Sequence, residues 1–167
     1  MLKYVAFRLG SLILPRLPAA IYSPTATFLA GLAYLLAPGA RQAVADNMRH
    51  VLGPQVESER LRQAVRGVFH NTVRNYLELF LLPRLGREIE QTLTVVGWEH
   101  LQQLREQGKG VIVATAHLGN IDLSVQVLAA RSIGIVVLAE PLQPPYLFEL
   151  VKALRESQGV SFLPVGV

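Results

Sequence analysis

A chain of 167 residues is long enough to bury the core of one domain, and one domain is the default expectation. With 51% hydrophobic residues, 17% charged ones and a mean hydropathy of +0.34, it is more apolar than an ordinary soluble domain, so some apolar surface should meet a partner outside the core. The net charge of +4 suits anionic surfaces such as phospholipid headgroups, acyl-CoA phosphates or nucleic acid, while the absence of cysteine excludes disulfides, thiolate metal sites and a cysteine nucleophile.

Residues 17–40 carry no charge, a length that could reach across a bilayer. Pro18, Pro24 and Pro38, with Gly31 and Gly39, break the run. The pattern predicts a membrane-lying hairpin of two short helices, the better piece being 25–37, opened by Ser23-Pro24 and stopped by Pro38-Gly39. Residues 1–40 therefore read as a membrane-associating helical segment, against the plainer alternative of two buried core helices. Arg8 and Arg16 interrupt the first apolar stretch, unlike a cleavable signal peptide.

A helix follows over 41–52, with Val44, Met48, Val51 and Leu52 on one face, and a longer one opens near Ser58 and ends before Pro83. In the long helix Leu61, Val65, Val68, Phe69, Thr72, Tyr76, Leu77, Phe80 and Leu81 recur at spacings of three or four. Arg60, Arg62, Arg66 and Arg74 fall on another face, which suits either solvent or lipid headgroups. His50, His70 and His100 each lack a spaced ligand partner, and no metal site is expected.

From residue 92 onward strands and helices alternate. A strand is expected over 92–96, a helix over 99–107 closed by Gly108, and a buried strand over 110–115. A helix over 123–131, a strand over 134–139, a helix over 145–157 stopped by Gly159 and a strand over 160–165 complete the series. Successive β-α-β units predict an α/β fold with a mostly parallel sheet and right-handed crossovers. The last strand finishes with the chain, which predicts an incomplete sheet. P-loop, dinucleotide, zincin and nucleophile-elbow motifs are absent, so covalent serine catalysis has no anchor.

Chemistry concentrates at Ala116-His117-Leu118-Gly119-Asn120-Ile121-Asp122, between the apolar run 110–115 and the helix that follows. A histidine at a strand end and an aspartate five residues on, across a Gly-Asn turn, can fold back so that the carboxylate meets one imidazole nitrogen. The other nitrogen is then free to take a proton from a substrate hydroxyl. The same residues would also serve a plain strand-to-helix turn, with Asp122 favoured by the helix dipole.

Together with its surroundings this motif resembles the lysophospholipid acyltransferase superfamily, in its branch of lipid A lauroyl and phosphatidylinositol mannoside acyltransferases. The matching blocks are Ala43-Val44-Ala45-Asp46-Asn47-Met48, Phe69-His70-Asn71, Tyr76-Leu77-Glu78, Gly97-Trp98-Glu99-His100-Leu101 and Gly108-Lys109-Gly110-Val111-Ile112. They continue through residues 115–123, Leu138-Ala139-Glu140-Pro141-Leu142 and Arg155-Glu156-Ser157-Gln158-Gly159 with Leu163-Pro164. Ile121 stands where the family usually has an aromatic residue, and Pro141 where many members carry arginine.

The resemblance implies a glycerol-3-phosphate acyltransferase-like fold, with 41–167 as part of the acyltransferase domain. It also implies transfer of a fatty acyl group from acyl-CoA or acyl carrier protein to a hydroxyl of a glycolipid or lysophospholipid. His117 would be the general base and Asp122 the acid that orients it; Arg155, Asn120 and Glu140 would contact substrate. No cofactor or metal is implied, since a thioester is already activated. The implied setting is the cytoplasmic face of a bacterial inner membrane, peripheral or shallowly embedded, with the bilayer as partner and no nucleic acid. From another functional class, an inactive lipid-binding or membrane-anchoring fragment is the alternative.

Overall fold

A computed structural model describes residues 2–85, 93–116 and 118–166. Two compact units divide the chain, Met1–Leu81 and Leu82–Val167.

The first unit is helical. Helix α1 spans Leu2–Ile13, α2 Tyr22–Leu36, α3 Pro38–Leu52 and α4 Ser58–Leu85, the last running on into the second unit. One face of α1 packs on α4 through aromatic edges: Phe7 lies 5.4 Å from both Tyr76 and Phe80 in edge-to-face contact. Gly10 brings the α1 backbone so close to Phe80 that a Cβ would stand 3.0 Å from the ring. The periodic face read in α4 is the buried one, with Val65, Phe69, Leu77 and Phe80 enclosed.

Pro24 opens α2 and Pro38 follows its end, as expected, although α2 and α3 each start three residues early; the long helix departs from expectation at Pro83, read as its stop. Helix α2 begins at Tyr22, with Pro24 inside its first turn, and α3 begins at Pro38 itself. Proline has no N–H to donate, and the first turn of a helix requires none. Helix α4 passes through Pro83 because, so near its end, the ring interrupts only the final turn. No helix among the described residues is long and apolar enough to cross a membrane.

The second unit holds α5 (Trp98–Glu106), α6 (Ile121–Ala130), β1 (Val136–Ala139), α7 (Pro145–Glu156) and β2 (Ser161–Pro164). Strands β1 and β2 pair in parallel, Val136 opposite Ser161 and Ala139 opposite Pro164, with α7 as the connection. This is the expected β-α-β unit. Leu147, Phe148, Val151 and Leu154 form the buried stripe of α7, and Phe162 and Val160 are enclosed with them in the core. Leu82 is fully enclosed, and its carbonyl accepts from Gln158 Nε2 at 3.0 Å.

Two expected strands are corrected. Residues 93–95 and 110–115 have no strand structure, residue 92 lying outside the described set. The run 110–115 is exposed rather than buried, Ile112 at 98%. A buried parallel strand needs a hydrogen-bonded neighbour and cover on both faces. Among the described residues β1 pairs only with β2, and the face of β1 bearing Val136 and Leu138 is open. The N-terminal helices followed by a small parallel sheet nonetheless form the α/β class expected.

Candidate active site

Gly119, Asn120 and Asp122 lie where the chain turns from the extended segment into α6. Gly119 sits at φ +76, a left-handed conformation that glycine adopts without steric cost, and nothing lies within 4 Å of where its Cβ would be. Asn120 is the N-cap: its Oδ1 accepts from the Leu123 N–H at 3.1 Å, and its carbonyl accepts from the Ser124 hydroxyl at 2.9 Å. The turn thereby places Asp122 in the first turn of α6, where the helix dipole favours a carboxylate. His117 lies outside the described residues.

Asp122 meets Arg155, 33 residues further on, from the last turn of α7. Arg155 Nη2 donates to Asp122 Oδ2 at 3.2 Å, and Arg155 Nε stands 2.7 Å from Oδ1. The Nε approach is a charge contact rather than a directed hydrogen bond, since Nε is enclosed without a well-aligned acceptor. Both side chains are mostly covered, at 26% and 20% exposure, so solvent screens the pair less than a surface ion pair. The Phe162 ring lies 5.4 Å from the guanidinium carbon and supports it from β2.

Gln126, one turn after Asp122 on α6, is the site-supporting residue that motif reading missed. It is fully enclosed, and its Nε2 donates to the Arg155 carbonyl at 2.9 Å, while its Oε1 has no partner among the described residues. Arg155 is thus held twice by α6, through its guanidinium and through its backbone. A signal was present: an amide at i+4 from the aspartate, inside an otherwise apolar stretch.

Of the expected substrate contacts, the fold brings Arg155 to Asp122 and commits Asn120 Oδ1 to the helix cap. Glu140 directly follows β1 and is exposed, with no ion pair to Arg155. His50 Nδ1 lies 2.8 Å from the Asp46 carbonyl and His70 Nε2 lies 3.5 Å from Thr27 Oγ1, ordinary satisfied positions. No group of residues able to hold a metal ion occurs among the described residues.

With these positions fixed, comparison places the chain. Residues 2–166 match the model of the bacterial lipid A biosynthesis acyltransferases, and the chain belongs to that family. It is similar to phosphatidylinositol mannoside acyltransferase of Mycolicibacterium smegmatis, 29% identical over 140 residues. Its similarity to the protein of the same name in Mycobacterium tuberculosis is 28% over 146 residues. In both cases 83% of this chain is covered but only 45% of the relative, so the chain spans about half the length of these relatives.

Proposed function

We propose that this chain carries part of a membrane-associated O-acyltransferase that moves a fatty acyl group from acyl-CoA or acyl carrier protein to a hydroxyl of a glycolipid or lysophospholipid. The observation that carries the reading is the Asp122–Arg155 pair, which joins the H-x4-D turn to the family's second block. His117 takes the proton of the acceptor hydroxyl as the oxygen attacks the thioester carbonyl. The tetrahedral oxyanion collapses, the C–S bond breaks, and the proton passes from the imidazolium to the departing thiolate. Asp122 compensates the imidazolium and fixes its tautomer. Arg155 acts through Asp122, holding the carboxylate in orientation, and is a positioning residue. Residues 1–40 associate with the membrane and residues 41–167 belong to the acyltransferase domain, on the cytoplasmic face of a bacterial inner membrane. Asn120 shapes the turn, and Glu140 stands open to the acceptor.

The test is transfer of label from acyl-CoA thioesters to phosphatidylinositol mannosides in mixed micelles. Transfer that is lost in His117→Ala supports the reading. Transfer by His117→Ala at the wild-type rate removes His117 as the base. Vesicle binding without any transfer by the unaltered protein would favour the lipid-binding module instead.

A further inference from the structure

Among the described residues Gln126 is the one fully buried polar side chain, and only half of its amide is used. Its Nε2 donates to the Arg155 carbonyl at 2.9 Å, while its Oε1 has no partner among the described residues. An apolar side chain of the same shape would fill this place without burying an unsatisfied oxygen, so packing alone does not account for an amide here. The bond to Arg155 does.

Asp122 and Gln126 stand one turn apart on α6 and so share a face. Both reach the same residue of α7. Asp122 takes the Arg155 guanidinium, with Nη2 3.2 Å from Oδ2 and Nε 2.7 Å from Oδ1, and Gln126 takes the Arg155 carbonyl. The two contacts fix different things. An arginine head on its long, flexible stem can follow a carboxylate from many backbone positions. Tethering the backbone sets the position from which the planar fork approaches, and with it the direction in which the carboxylate is held.

The end of α7 has further anchors. Gln158 Nε2 donates to the Leu82 carbonyl at 3.0 Å, and Glu156 Oε1 accepts from the Phe162 N–H at 2.7 Å. Loss of the Gln126 bond therefore leaves the helix end attached but free to shift along α6. A shift of that kind spoils the alignment of a reacting group far more than it weakens the fold.

We propose that Gln126 is a positioning residue for acyl transfer, setting through the Arg155 backbone the direction from which the guanidinium orients Asp122. This rests on the reading of Asp122 as the acid that orients His117, and adds to it a residue outside both the H-x4-D turn and the second block.

Gln126→Met keeps the volume and removes the bond. In the mixed-micelle assay it should lower kcat roughly five- to tenfold with the KM for acyl-CoA within about twofold, while melting close to the unaltered protein. Dependence on Arg155 is the readout that a purely structural role would not move. In an Arg155→Gln background there is no guanidinium to direct, so adding Gln126→Met should lower kcat by less than about twofold more. Full multiplication of the two losses, or an unchanged kcat in Gln126→Met, would overturn the proposal.

Arginine side-chain NMR gives a second readout that needs no turnover. The Arg155 Nε–H signal, assigned by its disappearance in Arg155→Gln, should exchange with solvent at least about tenfold faster in Gln126→Met. An unchanged exchange rate also overturns the proposal. Gln126→Leu serves for both measurements if the methionine variant does not fold. His117→Ala is scored beside these variants: transfer by His117→Ala at the unaltered rate removes the base, whereas loss in His117→Ala with Gln126→Met unimpaired removes only the role of Gln126.

Discussion

Gln126 and Arg155 are joined side chain to backbone, the enclosed amide Nε2 of α6 donating 2.9 Å to a carbonyl in the last turn of α7. The final four carbonyls of a helix have no partner within it, so this bond satisfies a group the fold would otherwise leave bare. The same amide leaves its own Oε1 enclosed and unpartnered among the described residues. The two effects oppose each other. Gln126→Met removes the orphaned oxygen and the bond together at nearly constant volume, and should change stability by less than about 1 kcal/mol. Gln126→Ala adds a cavity and should cost about 2–3 kcal/mol. Urea denaturation of both variants measures the difference; equal losses would show that the bond, not the packing, dominates.

Asp122 and Arg155 should be energetically coupled. Each single exchange, Asp122→Asn or Arg155→Gln, leaves a mostly covered charge without its partner and should cost about 1–2 kcal/mol. The double variant leaves no unpaired charge, so its loss should fall short of the sum of the single losses by about 1 kcal/mol. A strictly additive double-mutant cycle would mean that solvent already screens the pair.

Sequence alone makes legible whatever depends on local spacing. The three- and four-residue recurrence from Leu61 to Phe80 marks the buried face of α4, and the apolar runs either side of α7 become the paired strands β1 and β2. The Gly119-Asn120 dipeptide already reads as a strand-to-helix turn, and the structure realises it as a positive φ and an N-cap. What fails is non-local. The apolar character of 110–115 records that the segment favours cover, not which strand supplies it, and the described residues supply none. Arg155 is similar: spacing reveals a helix-end charge, and only the fold brings it 33 residues back to Asp122. Pro24 reads as a helix opener and Pro38 as the end of the helix before it, as found, whereas Pro83 misleads, because in the last turn of α4 its ring does not stop the helix.

The turn itself should respond to two different causes. Gly119→Ala meets no atom within 4 Å, so its cost arises from forcing a Cβ into positive φ, about 1 kcal/mol. Asn120→Ala removes the acceptor for the Leu123 N–H and should also cost about 1 kcal/mol, while Asn120→Asp, which can still accept, should retain most of the stability. Thermal melts of the three variants separate the effects. An unchanged melting temperature in Asn120→Ala would remove the cap from the account of how Asp122 is placed.

Kinetics distinguish a positioning Arg155 from one that binds the donor's phosphates. Its Nε–Nη2 edge is turned to Asp122, and lysine, a point charge without the fork, does not reproduce that two-point contact. If Arg155 works through the carboxylate, Arg155→Lys should lower kcat by roughly tenfold or more with the KM for acyl-CoA within about twofold, the pattern of an interaction needed in the transition state. Asp122→Asn should lower kcat further, by roughly a hundredfold or more, because it removes the charge that both Arg155 and the proposed imidazolium require. The opposite pattern for Arg155→Lys, a raised KM with kcat preserved, would transfer Arg155 from positioning to donor binding. It would leave Asp122 to orient His117 unaided.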